Sequence, residues 1–386
     1  MSGKHRIVIL GAGVAGLRVA KRVPVRIRPS DWEVVLIDQN DYHQYLYRIH
    51  EVCNTEYEEK DIIVPLSRLA KLATLKRATV KTLDTERKVV VTDSGEESYD
   101  ILVLAMGSHP AYFDIPGIAE HSMTLGSYSE ARAVRARIGE LFGSAMSKVA
   151  PVIVIGGGGF TGIELAGELA DSLPVLCREH GIPVPEKLLT VVEAMSTILP
   201  GWDAELASKA QSSLEKRGVR FLLGRPVTGV EERKLELNDG TVLEPDLFIW
   251  TGGVRGDPAC GAGFKINERR IVVDEYLRAK GQEGIFVAGD MACTTDSSGI
   301  PQPPTAHIAM VQGDLVAKNI LATINGGELL RYRYKRIGEI VTLGRDYAVG
   351  ALFGRRFTGL SARIIKKMIH FWYIYSIGGF RLLIGL

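Results

Sequence analysis

The stretch Arg6-Ile-Val-Ile-Leu-Gly-Ala-Gly-Val-Ala-Gly16 decides the fold. Ile7–Leu10 is a short apolar run rich in β-branched residues, the mark of a buried parallel strand. Gly11, Gly13 and Gly16 follow at the G-x-G-x-x-G spacing, and Val14–Val23 reads as a helix stopped by Pro24. A strand that turns this tightly into a helix points the helix's first amides at a pyrophosphate. Gly11 makes the turn, Gly13 lets the phosphate approach, and Gly16 seats the helix on the strand. Glu33–Ile37 reads as the next strand and ends in Asp38, where a carboxylate accepts hydrogen bonds from a ribose. Asp38 comes later than the usual spacing of about 20 residues, and the insertion Pro24–Asp31 accounts for the delay. The stretch is a dinucleotide-binding unit.

The unit recurs. Val152–Ile155 reads as a strand, and Gly157, Gly159 and Gly162 repeat the glycine spacing. Thr161–Leu173 reads as a helix that carries Glu164 and Glu168 and stops at Pro174. The next strand, Leu189–Val192, ends in Glu193, again the ribose-acid position, delayed by the insertion Pro174–Lys187. Two fingerprints of this kind predict an α/β chain with two Rossmann-like dinucleotide-binding domains. Three more strand ends belong to the same pattern. Tyr99–Leu104 runs into Ala105-Met106-Gly107, Asp246–Trp250 into Thr251-Gly252-Gly253, and Ile285–Ala288 into Gly289-Asp290. Asp203 caps a helix closed by Gly218, and Thr305 caps another over Ala306–Leu321. Pro110–Pro116 reads as a crossing between domains, and Asn238-Asp239-Gly240 as a hairpin turn. Tyr42, Tyr45 and Tyr47 lie in a loop, either beside an aromatic cofactor or capping a core edge; His43 and His50 read as structural or surface residues.

Length and composition narrow the class. With 386 residues, 46% hydrophobic content and a formal net charge of +2, the chain supports large cores and does not suggest nucleic acid. Cys53, Cys177, Cys260 and Cys293 are scattered, with neither zinc-ligand spacing nor a close redox pair, so a reducing compartment and no metal are expected. The N-terminus does not read as a signal peptide, and no uninterrupted apolar run is long enough to span a bilayer.

Taken together, the two fingerprints, Ala105-Met106-Gly107, Trp250–Gly253 and Ile285–Asp290 resemble the two-dinucleotide-binding flavoprotein reductases over nearly the whole chain. Gly157–Glu168, Val192-Glu193-Ala194, Pro304–Gly313 and the tail Gly359–Arg381 resemble a type II NADH dehydrogenase, a single-subunit NADH:quinone oxidoreductase. That resemblance implies FAD on the first unit (Gly11, Gly13, Gly16, Asp38, Gly107, Gly289, Asp290) and NADH on the second (Gly157, Gly159, Gly162, Glu193, Gly252). It implies electron transfer to a membrane quinone without proton pumping, Glu164 directed at the nicotinamide from the first turn of its helix, and Ala306, His307 and Gln312 at the quinone. It further implies a FAD domain of residues 1–111 and 255–328, an NADH domain of 112–254, a C-terminal region of 329–386, and a homodimer. The family usually has Ala-Gln where this chain has Ala306-His307, and Gln-Gln-Gly where it has Val311-Gln312-Gly313. Glu193, with no arginine in Ala194-Met195-Ser196, predicts NADH in preference to NADPH. Three other readings compete: a sulfide:quinone oxidoreductase, which needs a cysteine pair at the flavin, a soluble reductase of an electron-carrier protein, and a nucleotide-sensing flavoprotein that is not an enzyme.

The tail carries its own signal. From Tyr347 to Leu386 the only charged residues are Arg355, Arg356, Arg363, Lys366, Lys367 and Arg381. At helical spacing Arg363, Lys366, Lys367 and His370 share one face, and Ile365, Met368, Ile369 and Trp372 the other. This predicts an amphipathic anchor lying in the interface of an anionic membrane, on the cytoplasmic face where NADH is available.

Overall fold

The computed structural model describes residues 4–54, 62–144, 149–256, 263–267, 269–296, 299 and 301–385. Two five-stranded parallel sheets position everything else. The first runs Ile285–Val287, Ile101–Leu104, His5–Leu10, Trp32–Asp38, Thr74–Arg77. The second runs Met123–Thr124, Leu247–Trp250, Ile153–Gly156, Leu189–Glu193, Val219–Leu223. In each, the strand before the glycine loop is central and buried, and the strand ending in an acid lies beside it in parallel register: Leu10 opposite Ile37, Gly156 opposite Val192. Ligands of open α/β sheets sit where the strand order reverses, outside the carboxyl ends of these central strands. The two edge strands come from opposite directions in sequence. Ile285–Val287 reaches the first sheet only after the whole second sheet has been threaded, whereas Met123–Thr124 precedes its own sheet. The chain crosses between the units on a short antiparallel ladder, Ser108–Pro110 against Val254–Gly256, extended by a 3.0 Å bond from the Ala111 amide to the Gly253 carbonyl.

Three helix starts are capped by side chains, and one helix end departs from expectation. Ser127, Asp203 and Thr305 each accept an N-terminal amide of the helices Tyr128–Gly143, Ala204–Glu215 and Ala306–Asn325. The departure is in the second nucleotide helix, which does not stop at Pro174 but runs Phe160–Glu179 through it. Proline inside a helix removes one hydrogen bond and costs about 3 kcal/mol. Here Leu173, Leu176 and Cys177 on either side of it are all buried in the core, and their packing holds the two halves in line.

After Gly326 come an antiparallel meander, Gly338–Thr342, Ala348–Leu352 and Arg355–Thr358, and a long helix, Leu360–Ile384, broken at Gly379 (φ 65°). The long helix keeps most of the expected apolar face outward, with Met368, Ile369 and Trp372 exposed, but the expected basic face is not an outward one. Lys366 and His370 turn inward, with Tyr373, Ile374 and Ile377 buried in the core of the first unit. Ile365 packs with Ile340, Ala348 and Ala362 instead of facing outward. The exposed stripe is Leu360, Ile364, Met368, Phe371, Trp372 and Tyr375, at i, i+4, i+8, i+11, i+12 and i+15. The basic residues divide: Arg356 pairs with Asp203 and Glu205, Arg363 with Asp346 and Lys366 with Glu164, while Arg355, Lys367 and Arg381 remain exposed. The cause is that the helix is apolar nearly all round, so the side that matches the core wins, and Lys366 is drawn to the buried Glu164. No helix among the described residues is long and apolar enough to cross a membrane.

Candidate functional site

The two glycine loops are built alike. A Cβ on Gly16 would stand 1.9 Å from the Gly11 carbonyl oxygen, and one on Gly162 would stand 2.0 Å from that of Gly157, so only glycine lets either helix sit this close to its strand. The acids also match. Asp38 accepts from the Ala12 amide at 2.6 Å and Glu193 from the Gly158 amide at 2.6 Å, each clamping the middle of its loop. Asp38 also accepts from the Asn40 amide and Glu193 from the Met195 amide, both at 2.8 Å. Burial raises the Asp38 carboxyl above its ordinary value, against these hydrogen bonds.

The helix N-termini test whether these loops fit a nucleotide. Unlike the three helices capped by Ser127, Asp203 and Thr305, the helices that start after Gly13 and Gly159 have no side-chain cap and no acid in their first turn. Their first amides and partial positive charge are left for an anion, which is what a pyrophosphate needs. Both loops open on one cavity of about 2980 Å³, whose lining includes Gly13, Gly107, Gly159 and Asp290. Gly252 is packed under the Trp250 ring, and its neighbours Thr251 and Gly253 line the cavity in its place.

Glu164 lies where the two units and the C-terminal region meet. It is the fifth residue of its helix, not part of the first turn, and the helix dipole is not what holds it. Its Oε1 accepts from the Thr342 amide at 3.1 Å, the Thr342 hydroxyl at 3.0 Å and the Lys366 ammonium at 3.0 Å; His50 Nδ1 lies 3.5 Å from Oε2. Burial alone would push the carboxyl up, but Lys366, His50 and the Thr342 amide together outweigh it and hold it below the ordinary value. Glu164, Glu168 and Asp171 share one helix face at i, i+4 and i+7. Glu168 accepts from Asn54 at 2.9 Å, and Asp171 from Arg217 at 2.6 Å and the Arg345 amide at 2.8 Å. His50, Thr342 and Lys366 are absent from the sequence reading of this site. Only Lys366, a cation in an otherwise apolar segment, carried a signal, and it pointed to a membrane.

On the acceptor side, Asp290 accepts from the Ser108 hydroxyl at 2.8 Å, and burial raises its carboxyl. Ala306 and His307 line the cavity at the start of their helix. His307 Nδ1 lies 3.3 Å from the Tyr334 hydroxyl, and burial lowers the pKa of its ring, so it is neutral at pH 7 with one N–H to offer. Gln312 differs from expectation. It is fully buried, its carbonyl accepting from the Gly289 amide at 2.7 Å and its amide donating to Thr294 at 3.2 Å. It is not available to a quinone; it fixes the turn that carries Asp290. The buried thiols Cys53, Cys177 and Cys293 are free, so a sulfide:quinone site finds no cysteine pair among the described residues; Cys260 lies outside them.

Two uncapped nucleotide helices facing one cavity, with a buried carboxylate between them, define a two-nucleotide flavoprotein reductase. Residues 5–313 match the pyridine nucleotide-disulphide oxidoreductase family. A type II NADH:quinone oxidoreductase of Staphylococcus aureus is 33% identical over 394 residues, covering 97% of this chain and 96% of its own length. That of Staphylococcus haemolyticus is 33% identical over 388 residues at the same coverage. The structure of NDH2 from Plasmodium falciparum in complex with NADH superposes with a TM-score of 0.86 at 15% identity, covering 99% of this chain and 97% of its own. The chain belongs to the pyridine nucleotide-disulphide oxidoreductases, and within them to the type II NADH:quinone oxidoreductases. It is an enzyme that uses FAD and NADH and passes electrons to a quinone.

Proposed function

We propose that the two halves of the reaction are divided between residues as follows. FAD lies on the Gly11–Gly16 loop with Asp38 at its ribose, Gly107 beside it, and Gly289 and Asp290 at the ribityl chain. NADH lies on the Gly157–Gly162 loop with Glu193 at its adenosine ribose, where a carboxylate repels a 2′-phosphate and favours NADH over NADPH. The flavin, when bound, supplies the redox chemistry, taking two electrons from NADH and giving two to the quinone. The protein binds, orients and excludes water. Glu164, kept ionised by Lys366, is directed at the nicotinamide carboxamide. Ala306 and His307 face the quinone, the neutral imidazole donating one hydrogen bond to a carbonyl. The observation that carries this reading is the pair of uncapped helix N-termini opening on the cavity that His307 also lines. The domain limits follow the two sheets: 1–111 with 255–328 for FAD, 112–254 for NADH, and 329–386 as a third region closing on both.

His307→Ala tests the acceptor half. Flavin reduction by NADH is expected to proceed at the wild-type rate in stopped flow, while its reoxidation by quinone slows about tenfold, the worth of a lost buried hydrogen bond. If both half-reactions are unchanged, His307 is not at the quinone.

The same reading places the exposed stripe Leu360–Tyr375 on a membrane surface, on the cytoplasmic side where NADH is found. Its support is the line of large apolar side chains ending in Trp372 and Tyr375, residues suited to the headgroup boundary. Because three of the six tail cations are paired with the protein's own acids, apolar burial contributes more than attraction to anionic lipid. Truncation before Phe357 would also remove Lys366 from Glu164, so Met368→Glu with Trp372→Glu is the cleaner variant. It is expected to lose at least about tenfold in liposome sedimentation, on neutral as well as anionic vesicles. Sedimentation equal to wild type would put the contact elsewhere. The resemblance also implies a homodimer, which analytical ultracentrifugation of the full chain tests.

A further inference from the structure

One cluster in the cavity wall has its protons fixed by elimination. Where the 3₁₀ helix Leu46–Cys53 faces the C-terminal helix, Tyr47 Oη lies 2.7 Å from His370 Nδ1. On the other side of the same ring, Arg48 Nη1 lies 2.8 Å from Nε2. Glu51 holds Arg48 in place with two hydrogen bonds, of 2.9 and 2.5 Å. A guanidinium donates and cannot accept, so Nε2 of His370 must be the acceptor and carries no proton. Burial, reinforced by Arg48, lowers the pKa of His370 to about 4, so the ring is neutral at pH 7 and its single proton sits on Nδ1. That proton is donated to the Tyr47 oxygen. The Tyr47 hydroxyl is therefore an acceptor toward His370, and its own proton must point away from it. Among the described residues no acceptor for that proton is found. Tyr47 lines the same cavity as Ala306 and His307. Burial also raises its pKa well above the ordinary value, so the proton stays on the oxygen.

We propose that Tyr47 is a quinone-binding residue whose hydroxyl donates a hydrogen bond to a quinone carbonyl, with His370 and Arg48 acting as positioning residues that aim its proton. The inference rests on the quinone reading of the cavity and adds a second donor to His307. No proton is transferred from Tyr47: the hydroxyl orients and polarises the carbonyl and is not consumed. His370 has no proton to spare on Nε2 with which to replace it.

The test uses the FAD-loaded full chain and a short-chain, water-soluble benzoquinone. Tyr47→Phe removes the donor and keeps the ring that packs on Tyr373 (centroids 5.4 Å apart). The dissociation constant for oxidised quinone, read by quenching of tryptophan fluorescence, is expected to rise roughly three- to tenfold, with the quinone KM following it. Arg48→Met is the second variant. Without the guanidinium, His370 can carry its proton on Nε2 and accept from Tyr47 with Nδ1, so the hydroxyl proton is captured by the protein. The same weakening is expected although the tyrosine is present, and adding Tyr47→Phe to Arg48→Met is expected to change little further. Quinone binding that is normal in wild type and unchanged in Tyr47→Phe overturns this inference alone. Full additivity of the two substitutions overturns the positioning role of Arg48. A wild-type enzyme that binds no quinone in this cavity overturns the quinone reading and the inference with it.

Discussion

Flavin reduction by NADH is expected to fall at least about a hundredfold in Gly162→Val, because displacements of about 1 Å at a hydride-transfer geometry have effects of that order. A Cβ at Gly162 would lie 2.0 Å from the Gly157 carbonyl oxygen and 2.7 Å from Thr251 Oγ1. The first of these is backbone and cannot rotate away, so the helix must lift off its strand. Its uncapped amides and Glu164, two residues further on, move with it. The first unit is untouched, so the protein is expected to keep its FAD and to be reduced normally by dithionite. Gly16→Val, which would bring a Cβ to 1.9 Å from the Gly11 oxygen, is expected to behave conversely and purify without flavin. Stopped-flow absorbance at the flavin band reads both. Gly162→Val reduced by NADH at a rate near wild type would mean that this turn is not the NADH site.

The second large effect concerns Lys366. Lys366→Met leaves Glu164 buried without its ammonium, and removing one partner of a buried pair costs about 3–5 kcal/mol. In wild type the folded pKa of Glu164 is depressed below the ordinary 4.5. Its contribution to stability is therefore complete above pH 4.5 and is lost as pH falls through the folded value. In Lys366→Met, burial dominates and the folded pKa moves above 4.5. The sign then reverses: the contribution is present below pH 4.5 and is lost as pH rises through the new value. Thermal unfolding of the FAD-loaded variant between pH 5 and pH 7 should therefore show the melting temperature rising on acidification, where wild type does not. Lys366→Met with Glu164→Gln should recover much of the loss. Parallel pH profiles for variant and wild type would show that the pair does not govern this region.

Both nucleotide folds were legible because each is specified by neighbours in sequence. Strand, glycines, helix and acid lie within one supersecondary unit, so their spacing encodes their geometry. What failed to show was set by distant partners. The run through Pro174 depends on Leu173, Leu176 and Cys177 finding a core, which no local rule weighs. Glu164 was found, but its three partners come from the 3₁₀ helix, the meander and the last helix, and nothing in their local sequence marks them as a set. Gln312 was assigned to the quinone by the company it keeps in the motif, whereas its burial against Gly289 is a three-dimensional fact. In the tail, counting charges identified an amphipathic helix. It could not say which side faces inward, because that depends on the core that Tyr373, Ile374 and Ile377 enter and on the buried acid that Lys366 meets.

The late arrival of Ile285–Val287 in the first sheet has a consequence for synthesis. As the chain leaves the ribosome, Ile101–Leu104 stands as the open edge of that sheet until its neighbour is made about 180 residues later. At roughly 5–20 residues per second the wait is on the order of 10–40 s. During that time a wholly apolar strand, Ile-Leu-Val-Leu, presents unpaired amides and carbonyls to any other strand it meets. The second sheet, whose strands all lie between residues 123 and 250, closes in the meantime. The nascent flavin unit is thus the part of this protein most in need of a chaperone, and arrest of translation between residues 250 and 285 would leave a sheet lacking its last strand attached to a finished NADH fold.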